Sequence, residues 1–207
     1  MASKPLRLFI AVELSPEVRQ ALGRVQAAMQ RQLPPRTVRW TNPEGIHLTL
    51  KFLGDTPEAL VPAINQEIQA AAAAFAPFEL GVAGVGCFPN ARRARVVWAG
   101  VPDVPRPLAG VQRAIDLHMA RLDFPRETRP FSPHLTLGRV DDRISPAGRD
   151  ALAGMLAKAE IGSLGTVQVA QVVLFKSDLQ PTGAVYTVLA RGPLRHDSSR
   201  DSAAGSA

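Results

Sequence analysis

Hydrophobic and polar positions alternate along the chain with two periods, near two and near 3.6 residues, and the switches between them mark the elements. The compact run Leu8-Phe9-Ile10-Ala11-Val12, within residues 7–13, predicts a first strand. Ser15 then caps a helix with Pro16 in its first position. Val18, Leu22, Val25 and Met29 follow at the spacing of one buried helical face, and Pro34-Pro35 ends it. A short extended piece over 37–40 and a Pro/Gly loop lead to a strand over 46–53. Thr56-Pro57 opens a second helix with Leu60, Ile64 and Ile68 on its apolar side, its first turn delayed or bent by Pro62. Phe78, Leu80 and Val82 alternate as a strand, and residues 95–100 form another. Leu108, Val111, Ile115, Met119 and Leu122 mark a third helix, closed by a turn at Phe124-Pro125. Residues 134–140 are the next strand, and Ser145-Pro146 starts a fourth helix. Residues 167–175 and 184–191 are strands joined by a hairpin through Gln180-Pro181-Thr182-Gly183. Beyond Arg195 the chain turns to Ser, Ala, Asp and Gly, so residues 196–207 are expected to be a disordered tail.

The order strand, helix, then two further strands recurs in each half, which predicts an internal duplication. The expected fold class is α+β, a single bilobal domain over residues 1–195. Two pseudo-symmetric, antiparallel-rich sheets carry helices on the outside and leave a central cleft. The first strand can pair with either sheet, so the lobes are interleaved and no boundary is drawn between them.

The duplication has a chemical signature. Two of the four histidines sit in one repeated tetrapeptide, His47-Leu48-Thr49-Leu50 and His134-Leu135-Thr136-Leu137. On a strand, side chains alternate between faces. His47 and Thr49 then share one face while Leu48 and Leu50 enter the core, and the second copy repeats the arrangement. Histidine exchanges a proton near neutral pH, with an unperturbed pKa of about 6.5. One neutral and one protonated imidazole therefore supply base and acid in the same step. In-line cleavage of a phosphodiester needs both, one for the attacking hydroxyl or water and one for the departing oxygen. The threonine hydroxyls can donate to non-bridging phosphoryl oxygens as charge grows there. Lys51 lies two residues beyond Thr49 and is expected on the same face. Arg139 has the wrong parity for the cleft unless Gly138 marks a bulge or strand end that re-aims it. A duplicated core alone explains the leucines and leaves the paired polar residues without a reason.

Composition removes several other classes. No apolar run approaches the roughly 18 residues of a membrane helix, and the first apolar segment is too short for a signal peptide. The single cysteine, Cys87, excludes an internal disulfide and reads as a packing residue. The expected setting is cytoplasmic, with no membrane partner. The net charge of +6, mostly arginine, suits a polyanion such as RNA but also suits plain solubility. The denser group Arg92-Arg93-Ala94-Arg95 is either a solvated loop or a hold on a nucleic-acid backbone. His118 reads as a packing residue and His196 as part of the tail. A metal site would want carboxylates or cysteines beside the histidines, and Leu, Thr, Phe and Lys stand there instead. The glycines at 81, 84 and 86 have the wrong order for a dinucleotide fingerprint. No metal or cofactor is expected.

The two His-Leu-Thr-Leu segments and their surroundings resemble the 2H phosphoesterase superfamily, and within it the bacterial and archaeal RNA 2′,3′-cyclic phosphodiesterases, also called 2′-5′ RNA ligases. The likeness spans about residues 6 to 195. It includes Arg7 to Val12, Val38-Arg39-Trp40, the extension Lys51-Phe52-Leu53-Gly54, Phe88-Pro89-Asn90, the stretch from Arg129 to Arg139, and Pro193-Leu194. The resemblance implies a metal-independent hydrolase that opens terminal RNA cyclic phosphates to 2′-phosphates. It implies His47 as proton donor to the leaving O3′ and His134 as the acceptor that activates water. Thr49, Thr136 and Arg139 would hold the phosphoryl group. Run in reverse, the same site would join a 5′-hydroxyl to the cyclic phosphate in a 2′-5′ linkage. Phe9, Phe131 and Tyr186 are candidate base platforms, with core packing as the alternative for each. The expected partner is RNA with cyclic-phosphate ends, tRNA fragments among the candidates, and the expected oligomeric state is a monomer. Two other readings stay open: a non-catalytic protein that binds RNA termini, and a phosphodiesterase for small cyclic or 2′-5′-linked nucleotides. The stretch Lys176 to Leu179 has no assigned role.

Overall fold

The alternating and helical periods resolve, in a computed structural model that describes residues 4–102, 104–180 and 183–195, into nine strands and four helices among those residues. In chain order they are β1 (Leu6–Val12), α1 (Pro16–Gln32), β2 (Val38–Trp40), β3 (Leu48–Thr56), α2 (Val61–Ala72), β4 (Phe78–Phe88) and β5 (Val96–Gly100). There follow α3 (Arg106–Ala120), β6 (His134–Val140), α4 (Pro146–Lys158), β7 (Ser163–Val169), β8 (Gln171–Gln180) and β9 (Gly183–Pro193). The Ser15 and Ser145 hydroxyls cap α1 and α4 by accepting from the Val18 and Gly148 amides. A short 3-10 turn over Glu58–Leu60 delays α2, so Pro62 falls in the first turn, where its missing N–H costs no helical bond. The expected tail over residues 196–207 lies outside the described residues, as do His196, Pro181 and Thr182.

The strands form two four-stranded antiparallel halves, β3-β1-β8-β9 and β6-β5-β4-β7, with β2 added to β6. They meet where Leu48 of β3 bridges Leu135 of β6, the one bridged pair between those strands. Beyond that point β6 turns its edge to β2, which pairs with it over Gly138 to Val140. The halves therefore splay apart, and the gap between them is the cleft. α2 and α3 cover the first half, while α1 and α4 cover the second. Since α1 follows β1 and α3 follows β5, each repeat lends a helix to the other lobe.

The main core lies between these helices and the sheet. The faces read from the sequence are its members, with Leu22, Ile64, Ile68, Leu108, Ile115 and Met119 wholly buried beside Leu8, Ile10, Leu48 and Leu135. Burying such a side chain is worth about 1.5–3 kcal/mol. A smaller cluster of Phe9, Ala11, Val173 and Phe175, with Tyr186 against it, lies apart from that core and beside His47. One expected strand, 167–175, is two strands that part at Ala170. β7 pairs with β4 in one half and β8 with β1 in the other. Apolar alternation continues across the break because both pieces line buried faces, so periodicity alone does not show the change of sheet.

Both histidine strands carry a β-bulge. Against β1, Ala11 pairs with Thr49 and Ile10 with Lys51, so Leu50 is the extra residue. Against β5, Trp98 pairs with Thr136 and Val97 with Gly138, so Leu137 is extra. After each bulge the parity flips. Gly138 is required at the second: a Cβ there would lie 2.6 Å from Val38 Cγ1 and 2.9 Å from the Arg39 carbonyl. Gln26 of α1 donates from Nε2 to the carbonyls of Leu137 and Thr41, at 2.8 and 2.7 Å, and so ties this bulge to the chain entering the first motif.

At the first bulge the flip sends Lys51 away from the cleft, contrary to the expectation that it stands beside Thr49. Its ammonium is buried and donates to Asp116 Oδ1 of α3 at 2.6 Å and to the Pro125 carbonyl at 2.7 Å. Asp116 also accepts from Arg126 Nε and from the Glu127 amide, 3.1 Å away. Burial alone would raise the Asp116 pKa. The hydrogen bonds from Lys51, Arg126 and the Glu127 amide, with the Lys51 charge, outweigh burial and hold it below the ordinary carboxylate value. A carboxyl lowered in the folded state gives stability that is complete above its unfolded pKa, about 3.9, and is lost as pH falls through the folded value. Asp116→Ala strands the Lys51 charge and should cost about 3–5 kcal/mol in urea denaturation at neutral pH. The gap between variant and wild type should shrink as pH drops below 4.

Candidate active site

The Leu48–Leu135 bridge sets what faces what. One residue to either side in an antiparallel register, His47 stands opposite Thr136 and Thr49 opposite His134. With both leucines wholly buried, these four side chains take the other face. Directly opposed Cβ atoms lie about 4.5–5.5 Å apart and diagonal ones about 7–8 Å. His47 and His134 are the diagonal pair of this register. His47 itself is the residue immediately before β3, and His134 is the first of β6.

Each ring is held the same way. His47 Nδ1 lies 2.8 Å from the Gly45 carbonyl and His134 Nδ1 lies 2.7 Å from the Ser132 carbonyl, two residues back in both cases. A carbonyl only accepts, so Nδ1 carries the proton in both rings and Nε2 is left for chemistry. Neutral, Nε2 is a base; protonated, it is an acid.

Their surroundings differ. His47 stacks on Phe9, with centroids 4.5 Å apart, and meets the Tyr186 edge at 5.1 Å. His134 is half-buried, with the Phe88 ring edge-on at 4.9 Å. Burial pulls the His47 pKa below the ordinary histidine value, against the opposing effect of the Gly45 hydrogen bond. Phe9 is only 3% exposed, so it cannot offer a face to a nucleobase; it backs the His47 ring instead. Phe131, half-buried, packs against the main core and is not among the residues lining the cavity over the seam.

A cavity of about 630 Å³ opens over the seam. His47, Thr49 and Thr136 line it, together with Arg7, Arg139 and Tyr186. His134 is not in its wall; the register of the Leu48–Leu135 bridge puts it opposite Thr49, which is. Arg139 reaches the cleft through the Leu137 bulge, the geometry its parity demanded. The Tyr186 pKa is raised by burial and partly relieved by the charges of Arg139 and Arg7, so the phenol keeps its proton at neutral pH and can donate. Ser177 and Leu179, from the stretch without an assigned role, also line the cavity, while Lys176 and Asp178 pair with each other at 3.0 Å.

Phe52 and Arg7 are among the lining residues that escaped the sequence reading. Phe52 is 69% exposed beside the cleft because the Leu50 bulge re-aims it. It holds the position that Arg139 holds in the second copy, five residues after the histidine. Extending to the first copy the bulge expected at Gly138 would have found it. Arg7 was legible as well, since it shares strand parity with Phe9 and Ala11. Among the described residues no cluster of three His, Cys, Asp or Glu side chains is arranged to hold a metal ion, and no helix is long and apolar enough to cross a membrane.

The model of the LigT-like phosphoesterases matches this chain twice, over residues 12–98 and 100–186, with one histidine motif in each match. The chain belongs to that family. An RNA 2′,3′-cyclic phosphodiesterase of Methanothermobacter thermautotrophicus is 35% identical over 182 residues, covering 88% of this chain and 95% of the relative. A crystal structure from Thermus thermophilus superposes with a TM-score of 0.76 at 31% identity, over 92% of this chain and 99% of the other. E. coli LigT, crystallised with 3′-AMP, superposes with a TM-score of 0.72 at 26% identity, covering 93% and 99%.

The asymmetry between the two rings has a measurable consequence. In an NMR titration of the free protein, His47 should titrate below about 6.5, the unperturbed histidine value. Adding a nucleoside 2′-monophosphate should raise it, because an anion at Nε2 favours the imidazolium.

Proposed function

We propose that this protein hydrolyses 2′,3′-cyclic phosphates at RNA ends to 2′-phosphomonoesters, using His47 and His134 as acid and base. The observation that carries this reading is the seam register, which sets His47 against Thr136 and Thr49 against His134. The membership in the LigT-like phosphoesterases and the activity of the similar Methanothermobacter thermautotrophicus protein support the reaction class.

In the proposed step, His134 Nε2 takes a proton from water as the oxygen attacks phosphorus. The P–O3′ bond breaks on the opposite side, and His47 Nε2 gives its proton to O3′. Thr49, Thr136 and Arg139 donate to the non-bridging oxygens, where negative charge accumulates. Turnover leaves His134 protonated and His47 neutral, and exchange with solvent resets both. Burial keeps His47 largely neutral in the free cleft; the phosphodiester anion supports the charged form that the donor role requires. Arg7 and the Tyr186 hydroxyl add positive potential to the cavity that receives the anion. The exposed Phe52 ring is a face on which the terminal base stacks.

His47→Ala and His134→Ala should each lower turnover of a 2′,3′-cyclic nucleotide by about 10²–10⁴-fold, with the circular dichroism spectrum unchanged. A nitrophenyl phosphodiester, whose leaving group needs no proton, separates the roles. It should restore much of the rate to His47→Ala and none to His134→Ala; the opposite result would exchange donor and acceptor.

Phe52→Ala removes a stacking surface worth about 1–3 kcal/mol, so KM for a cyclic nucleotide should rise at least several-fold with kcat little changed. A fall in kcat at constant KM would deny Phe52 this place.

A further inference from the structure

Arg139 belongs to two cavities. The second, also of about 630 Å³, lies between β2, the turn before β5, the end of β6 and the first turn of α4. Arg39, Arg93, Arg95 and Arg149 line it with Arg139. We propose that this cavity binds backbone phosphates of an RNA chain on the 5′ side of its cyclic-phosphate end, a claim that rests on the function proposed above.

The arginines are brought together by backbone geometry. Arg39 of β2 and Arg139 of β6 are directly paired across the sheet, an arrangement that disfavours two like charges. The Arg95 carbonyl accepts from the Val140 amide at 3.0 Å, which fixes the approach of the third. Arg93 ends a 3-10 turn whose cap, Asn90 Oδ1, accepts from its amide at 3.1 Å, and that turn packs on α4, which carries Arg149. The cluster is built into four elements at once.

Its charges are poorly compensated. Asp141 and Asp142 share the wall, but the one ion pair there among the described residues joins Arg39 to Asp141 at 4.0 Å. Arg93, Arg95, Arg139 and Arg149 have no carboxylate within ion-pairing distance among the described residues. An arriving polyanion would relieve that repulsion. The wall holds no aromatic ring, so it suits phosphates rather than bases and confers affinity without sequence preference.

The path follows from the chemistry at the seam. The terminal base takes the exposed Phe52 ring, and the cyclic phosphate takes the histidines. The 5′ oxygen of the terminal ribose is then the remaining exit for the chain. Arg139 leads from the phosphoryl group directly into the arginine cavity. A mononucleotide leaves that cavity empty; an oligonucleotide fills it.

The test compares a 2′,3′-cyclic mononucleotide with a cyclic-ended oligonucleotide, for wild type and for the double variant Arg93→Ala/Arg149→Ala, over a range of salt. Both residues are exposed, so the variant should keep the wild-type melting temperature. For wild type, log(kcat/KM) on the oligonucleotide should fall with log[salt] more steeply than on the mononucleotide, by about 0.7 for each phosphate held. The variant should lose about tenfold in kcat/KM on the oligonucleotide through KM, lose part of the extra slope, and treat the mononucleotide as wild type does. Equal losses on both substrates, or no loss on the oligonucleotide, overturns the arginine site and leaves the proposed reaction standing. Failure of wild type to turn over even the mononucleotide overturns the reaction instead. The variant's affinity for a 2′-phosphate-ended oligonucleotide, measured by fluorescence anisotropy, then decides the arginine site alone.

Discussion

A single antiparallel bridge between two buried leucines holds the two halves of this molecule in register, and everything chemical follows from it. Leu48 and Leu135 carry no charge and touch no substrate, yet their pairing decides which side chains confront each other across the cleft. A slip of either strand by one residue at that point would turn its histidine into the core and its leucine into solvent. Burial of two leucines therefore guards the register of two imidazoles. The seam is kept to one pair because β6 changes partners immediately afterwards, from β3 to β2.

The bulges do the second part of the work. Each histidine strand has to present its first and third residues to the cleft and then bury two in succession, Leu50 with Lys51 and Leu137 with Gly138. The two copies solve the buried fourth and fifth positions differently. In one, a lysine is neutralised by Asp116 from α3; in the other, a glycine lets β2 approach, and Gln26 from α1 donates to the Leu137 carbonyl, which also accepts from the Thr41 amide. In both cases the polar anchor comes from a helix lent by the other repeat. The repeats are thus tied together behind the site as well as at the seam.

Symmetry is broken where function needs two different halves. The sixth position of the motif is Phe52 in one copy and Arg139 in the other, so the two copies line the cleft with an aromatic ring and a cation. The imidazoles are held by equivalent backbone contacts, but one is packed among aromatic rings and the other half open. A duplicated scaffold that delivers two identical groups can assign them unlike tasks only through such differences in burial and charge.

Much of this was written locally. The repeated His-Leu-Thr-Leu segment, the helical faces such as Val18, Leu22, Val25 and Met29, and the glycine that re-aims Arg139 are all set by spacing and residue type. These govern which way a side chain leaves its own element. What lay beyond the sequence were relations between elements: that Ala170 carries the chain from one lobe to the other, that Leu50 is bulged, that Lys51 consequently meets Asp116, and that Phe9 backs a histidine instead of facing a base. Periodicity records burial without naming the neighbour that causes it, so the same lysine reads as a cleft cation or a buried partner until the opposing strand is in place. Local pattern settled what the site is made of; long-range pairing decided which of its candidates reach it.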